Sequence, residues 1–375
     1  MKSFSSGISV ITPTFNRAEF LPALFKSLRK AAQNFNGKVE IIVVDDSSPR
    51  EAELTRQLCK ENGAIYLAGT ASVREKRNLG IQSATNEIVL FVDSDCVATE
   101  DLFSQHICSY EDTDSRIAGI VGITEFIGEE SWFWDVVSRS QFLNAFSFAR
   151  RMEFAPWATC TNTSYKREVL IELGGFEVNF PFKLGADDTD LGLRLNKAGF
   201  KIKCNPQAVV FHTKETWNSF FAVAGRAFRW GRMDLHLYYL KHSDHLYFGN
   251  PKFSHIFLLL TSWAIIESLL FFSPKPLLLP FIWAIITLIS QAVATIIVTA
   301  KSLRYILSEL LADILGLTFE FGTIIEGVIH FEPTVFYKTV RRGPMLPTFE
   351  QNEWIVQTWC MWFGILIIML INKIF

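Results

Sequence analysis

Three times before residue 96 the chain runs through a short apolar segment and stops on polar side chains. "ISVITP" (8–13) leads into Thr14-Phe15-Asn16-Arg17, "VEIIVVDDSS" (39–48) ends on Asp45-Asp46-Ser47-Ser48, and "EIVLFV" (87–92) leads into Asp93-Ser94-Asp95. Between them, residues 18–32 carry Phe20, Leu21, Leu24, Phe25 and Leu28 at helical spacing. Residues 51–62 and 72–85 read as further helices, and 64–69 as another short strand. Strands that are apolar throughout and alternate with helices predict an α/β fold with a mostly parallel, doubly wound sheet buried on both faces. Ligands of such sheets bind beyond the carboxyl ends of the strands, where all three polar clusters fall. One cluster alone reads as a solvated loop; three on one rim read as a site.

The rest of the chain has a different composition. Hydrophobic residues make up 49% of the 375 and Phe occurs 34 times, but the excess is concentrated after about residue 254. Residues 255–273, "HIFLLLTSWAIIESLLFFS", hold one acid, and residues 277–300, "LLLPFIWAIITLISQAVATIIVTA", hold no charge. As helices these span about 28 and 36 Å, enough to cross a bilayer core. Lys301 and Arg304 follow the second segment, and a third apolar segment runs over 354–371. Basic residues on the side of the first domain satisfy the positive-inside rule. Residues 305–329 are apolar but contain Glu309, Asp313, Glu320 and Glu326. An amphipathic helix lying in the interface keeps Lys338, Arg341 and Arg342 cytosolic; the alternative is a bundle helix with its acids turned inward. This gives a domain over 1–235 and a membrane domain over 236–375.

Net charge is −2, which argues against a nucleic-acid partner. The six cysteines are scattered with no C-x-x-C pair, which argues against zinc sites and a disulfide framework and for a reducing compartment. The start, "MKSFSSGISVITPTFNR", has no long apolar run ahead of the first strand, so the first domain is expected in the cytoplasm, at a cell inner membrane or its equivalent.

Asp93 and Asp95, two apart, share a face if the strand continues. Carboxylates that close repel unless a proton or cation lies between them. A hard divalent ion, Mg2+ or Mn2+, favours oxygen ligands and completes its shell with substrate phosphates. Farther on, "GADDTDLGLRL" (185–195) crowds Asp187, Asp188 and Asp190 at a helix start. Acids there suit the helix dipole, which accounts for Asp190.

In order along the chain, "ISVITPTFNR", "VVDDSS", "KRNLG", "LFVDSD", "LGGF" and "GADDTDLGLRL" resemble the signature set of family 2 glycosyltransferases of the GT-A fold, over about residues 7–215. The resemblance implies a nucleotide-sugar donor, inversion at the anomeric carbon, and Mg2+ or Mn2+. It places Pro13, Phe15, Asn16, Arg17 and Asp46 at the base and ribose, and Arg77 of "KRNLG" near the nucleotide phosphates. Asp93, Ser94 and Asp95 correspond to the D-x-D motif, with Asp93 and Asp95 on the metal. Asp188 corresponds to the second acid of the E-D motif, the catalytic base, with Asp187 beside it where glutamate is common. His212, ending the apolar run "AVVFH", matches a histidine that joins the metal or the diphosphate; a strand-capping histidine is the plain alternative. Trp157 and Asn162 fall in the segment leading to the acceptor site.

"GRAFRWGR" (225–232) offers Arg229 and Trp230 as diphosphate or acceptor contacts. It partly resembles the Q-x-x-R-W segment of processive polysaccharide synthases, but Arg226 stands where glutamine belongs. Arginines at this point also suit anionic membrane lipids. The expectation is a membrane-anchored transferase acting on a lipid-linked or membrane-presented acceptor. A sugar nucleotidyltransferase is the second enzyme class, but "TPTFNRAEF" lacks its glycine-rich loop. A non-catalytic scaffold does not explain Asp93, Asp95 and Asp188 together.

Overall fold

The structure is a computed structural model that describes residues 7–111, 114–248, 252–299, 303–340 and 358–370. It divides into two units, one of Met1–Glu129 with Leu143–Thr216, the other of Glu130–Phe142 with Trp217–Phe375.

The first unit opens with β1 (Gly7–Thr14), α1 (Leu21–Gln33), β2 (Lys38–Asp45), α2 (Pro49–Glu61), β3 (Ile65–Ala68), α3 (Val73–Ser83) and β4 (Ile88–Val92). β1 lies between β2 and β4, parallel to both, and β3 pairs parallel to β2. The two-residue strand period divides the side chains between the two faces. Val10, Val43 and Leu90 pack with Leu24, Phe25 and Leu28 of α1 on one face. Ile11, Val44, Val89 and Phe91 pack with Ile81 of α3 on the other. Both faces are covered, which is why these strands read as unbroken apolar runs.

After β4 the sheet changes character. The chain continues through β5 (Cys96–Ala98), α4 (Leu102–Cys108) and β6 (Ile117–Ile127). The second unit's α5 (Trp132–Arg139) intervenes before β7 (Phe154–Ala155), β8 (Asn162–Lys166), α6 (Arg167–Glu172), α7 (Asp187–Lys197) and β9 (Lys201–Thr213). The strand order is β3-β2-β1-β4-β8-β6-β9-β5, with β7 also on β9. β8 runs antiparallel to β4 and β6, and β5 and β7 run antiparallel to β9. The expected mostly parallel sheet is therefore corrected to a mixed one: its first four strands are parallel, and its far half joins antiparallel pairs to one parallel pair, β6 with β9. Long-range pairing of this kind leaves no local mark in the sequence.

β6 and β9 pair in parallel with a register shift between Val121 and Ile123. Buried Asn162 repairs the irregularity by donating to the carbonyls of Ile123 and Ala208, each at 2.9 Å. The Nε2 of buried His106 lies 2.9 Å from the Asn162 amide oxygen; an amide oxygen only accepts, so that nitrogen carries the proton. Burial lowers the His106 pKa to about 4, so the ring is neutral.

The second unit adds α8 (Phe220–Asp234), β10 (Leu246–Phe248), α9 (Phe253–Leu270), α10 (Leu279–Thr299), α11 (Leu303–Ile329), β11 (Lys338–Val340) and α12 (Thr358–Leu370). α8 and α11 approach closely through glycines: a Cβ on Gly231 would strike the Phe319 carbonyl, and one on Gly322 the Phe228 carbonyl. Among the described residues, two stretches are long and apolar enough to cross a membrane, Phe253–Leu270 and Lys275–Ala294. Many of their large side chains point outward, including Leu259, Trp263, Leu270, Phe281 and Ile289, unlike those of a core helix. α12 covers most of the expected third segment; Trp354 lies outside the described residues, as do Lys301, Arg341 and Arg342.

The acids of α11 for which side chains are described do not form a water-facing stripe. Glu320 accepts from the Ser254 backbone N–H at 3.2 Å, Asp313 accepts from Gln291, and Glu326 is paired with Arg232 at 2.6 Å. These contacts hold the three acids against neighbouring helices of the unit. Periodicity puts acids on one face, but it does not say whether water or other helices meet that face.

Candidate active site

The first unit's loops converge at the carboxyl ends of β1, β2 and β4. The β1–α1 loop turns at Asn16, whose φ of 49° is left-handed, a region that asparagine tolerates well. Asn16 clamps this loop to the next: its side-chain oxygen accepts from the Ser48 N–H at 2.9 Å, and its own N–H donates to Ser47 Oγ at 2.6 Å. Pro13 is held within β1 opposite Val44. Phe15 is left 55% exposed, open for stacking.

The 93–95 segment is a turn and not a continuing strand. The Cys96 N–H returns to the Asp93 carbonyl at 3.2 Å, after which β5 pairs with β9. The two acids therefore do not share a strand face as expected. Asp93 accepts from Thr161 Oγ1 at 2.8 Å, Ser94 is buried between them, and Asp95 accepts from Arg17 Nη1 at 2.7 Å. Burial, together with the nearby Asp95, raises the pKa of Asp93 above its ordinary value.

His212, at the end of β9, sets the electrostatics here. Its Nδ1 lies 2.7 Å from the Thr213 carbonyl, which only accepts, so Nδ1 carries a proton. Its Nε2 then faces Asp95 Oδ1, 3.3 Å away. Asp95 Oδ1 is buried and makes no hydrogen bond. A proton or a divalent cation between the two atoms would satisfy both. Asp95 and His212 lie within reach of one ion, while Asp93 is turned to Thr161; a carboxylate with an imidazole suits a divalent ion. Cys96, which the sequence reading overlooked, brings its thiol into the same group. Burial and the two aspartates push that thiol well above its ordinary pKa, so it stays protonated.

α3 connects this rim to the second pair of acids. Lys76, also overlooked although it stands next to Arg77, is buried, pairs with Asp46 and donates to the Thr14 carbonyl at 2.8 Å. Asp46 is thus engaged by Lys76. Arg77 is taken up by Asp187 and, at 3.2 Å, by Asp188 Oδ1. Arg74 donates to the carbonyls of Phe182 and Gly185, fixing the loop that enters α7. The other Asp188 oxygen accepts from the Cys160 N–H at 3.1 Å. Burial pushes the Asp188 carboxyl up to about 7, with Asp187 adding to the rise and Arg77 opposing it. That proton affinity suits a general base working near neutrality.

Of the acceptor-side candidates, Trp157 lies against α7, its Cβ so close that only a glycine fits at position 192. Its ring meets Phe148 edge-on at 5.6 Å. Asn162 is fully engaged inside the sheet, as described above, which corrects its expected place at the acceptor; an amide in a sequence does not reveal that it will serve a bulge. Arg229 is exposed and Trp230 packs on Phe142 and Trp217, all in the second unit.

Residues 9–174 match the model of the family described as Glycosyl transferase family 2. The match stops before Asp187, Asp188 and His212, so those three rest on geometry and on the motif resemblance. The chain is 22% identical over 264 residues to the uncharacterized glycosyltransferase YfnE of Bacillus subtilis (strain 168), covering 56% of this chain and 65% of that one. It is 30% identical over 137 residues to undecaprenyl-phosphate 4-deoxy-4-formamido-L-arabinose transferase of Serratia proteamaculans (strain 568), covering 35% and 41%. A solved structure, mannosyltransferase PcManGT from Pyrobaculum calidifontis in complex with GDP-Man and Mn2+, overlays at a TM-score of 0.48 with 16% identity, over 88% of this chain and 86% of that one. The chain spans less than two thirds of the length of the first curated relatives it matches, from 14% to 65%. The similarity to Glycosyl transferase family 2 thus lies over residues 9–174, less than half of the chain.

Proposed function

We propose that this protein is a membrane-anchored, inverting glycosyltransferase with a GT-A-type site on the cytosolic face. It moves a sugar from a nucleotide-sugar donor to a hydroxyl of a lipid-linked or membrane-presented acceptor. The observation that carries this reading is the buried, unpartnered Asp95 oxygen facing His212 Nε2, on one rim with a carboxyl at Asp188 tuned to about 7. Phe15 offers a stacking surface for the base beside the Asn16 clamp, and Arg17 lies next to Asp95. Asp95, Asp93 and His212 would hold Mg2+ or Mn2+, which when bound supplies Lewis-acid neutralisation of the leaving diphosphate. Asp188 takes the acceptor hydroxyl's proton while the acceptor oxygen bonds to the anomeric carbon and the bond from that carbon to the diphosphate oxygen breaks. Trp157, packed on α7, offers an apolar wall for the acceptor.

The lipid-linked acceptor is supported by the outward-facing apolar stretches Phe253–Leu270 and Lys275–Ala294 and by relatives named for undecaprenyl-phosphate and dolichyl-phosphate substrates. The test uses the full chain in detergent with Mn2+ and a panel of UDP-, GDP- and dTDP-sugars, measuring nucleoside diphosphate release with and without polyprenyl and glycerol lipids. Release stimulated by a lipid acceptor is expected. Transfer to soluble acceptors with no response to any lipid would reject the acceptor assignment, and no release from any donor would reject the activity.

A further inference from the structure

In the second unit, three ligand-type side chains converge where the end of α8 meets the end of α11. Glu326 and His330 are one helical turn apart, and His330 Nε2 lies 3.5 Å from Glu326 Oε1. His236 Nε2 comes to the same oxygen at 2.9 Å. The two imidazoles stand at 78° with centroids 4.8 Å apart, and the three ligand atoms all lie within 4.8 Å of one another.

We propose that His236, Glu326 and His330 form a binding site for a divalent transition ion of the zinc type, separate from the donor site of the first unit. The spacing carries the assignment. Ligands at about 2.0–2.2 Å from a tetrahedral zinc ion stand about 3.3 Å from one another, and the two distances from Glu326 Oε1 bracket that value. Two imidazole nitrogens and one carboxylate oxygen are a donor set for zinc rather than for Mg2+ or Ca2+, which take oxygen. The supporting shell is also present. Arg232 Nε donates to Glu326 Oε2 at 2.6 Å, which turns Oε1 toward the two rings, the kind of outer contact that orients ligating carboxylates. Glu326 is buried, whereas the His330 side chain is 35% exposed, which gives an entry path and room for water as a fourth ligand.

The local backbone is adapted to the cluster. Residues 235–241 form a π-helical stretch following α8, a rare geometry that concentrates at functional sites, and His236 lies in it. The ion would join the end of α8 to the end of α11, adding a fastening point to the glycine-mediated contact between them.

The test uses the full chain in detergent, purified without a polyhistidine tag, stripped with a chelator and titrated with Zn2+ against a chromophoric competitor. One zinc equivalent is expected, unchanged in Asp95→Asn and weakened at least about tenfold in His330→Gln. Wild-type protein taking up no zinc, or losing it in Asp95→Asn but not in His330→Gln, overturns the proposal. A zinc-edge X-ray absorption spectrum of the wild type needs no variant: a shell of nitrogen and oxygen with two imidazoles supports the site, and a sulfur-containing shell refutes it. Neither measurement depends on sugar transfer, so this proposal and the proposed function fail independently.

Discussion

At the 93–95 turn a buried carboxylate oxygen faces an imidazole nitrogen without a hydrogen bond, whereas at the start of α7 both oxygens of Asp188 are met by N–H donors, from Arg77 and Cys160. The first leaves one Asp95 oxygen without a hydrogen bond, although Arg17 pairs with the other. The second is complete, and its carboxyl is tuned by burial against a fixed guanidinium. Under the proposed function, one group of acids would serve a metal and a leaving diphosphate, the other a proton. The contrast separates the two halves of a displacement, and each half can be broken alone.

The largest effect is expected from Asp188→Asn. It removes the proposed base and nothing from the turn, so kcat should fall by about 10³-fold while donor affinity, measured by calorimetry, stays within a few-fold of wild type. Activity that survives this change would place the base elsewhere. Asp95→Asn breaks the other half: Mn2+ affinity should fall by at least about 10²-fold, read by equilibrium titration, with the fold unchanged by circular dichroism.

Asn162→Ala sharpens the comparison from outside it. It leaves the Ile123 and Ala208 carbonyls and His106 without their partner, so unfolding stability should drop by about 2–3 kcal/mol. The acceptor KM should not move; a raised KM at unchanged stability would return Asn162 to the acceptor site.

The smallest effect is on the pH profile. With Asp188 as the proposed base, transfer needs it ionised, so kcat/KM should fall about tenfold per unit below about pH 7. The folded pKa lies above the ordinary 3.8. The stability contributed by protonated Asp188 is therefore full at low pH and is lost as pH rises through about 7, opposite to activity. Asp187→Asn removes a neighbouring charge that raises Asp188 and should move the acid limb to lower pH.

The parallel half of the sheet was readable because each strand, its helix and its terminal polar cluster are local in sequence. β8 could not be paired with β4 that way, since the partners are Asn162–Lys166 and Ile88–Val92 and nothing near either run names the other. The site was partly readable for the same reason. Asp93, Asp95 and Asp188 announce themselves as acids at strand and helix ends. Lys76, Thr161 and Cys160 matter only through residues far away in the chain, and the Thr213 carbonyl that fixes the His212 tautomer has no side-chain signature. In α11 the acids were visible, but their partners Arg232, Gln291 and Ser254 lie outside the helix that carries them.

The position of α3 has a consequence for how the chain tolerates insertions. Within five residues this helix commits Arg74 to the loop before α7, Lys76 to Asp46 and the β1 end, Arg77 to Asp187 and Asp188, and Asn78 to the backbone of Phe176. Each added residue in a helix turns everything beyond it by about 100°. A single insertion between Arg74 and Lys76 therefore detaches the nucleotide-side loops from the acid-bearing helix at one stroke. Loop exchange between related sequences is then permitted on either side of α3, but the helix itself can be inherited only as a block, with its register intact.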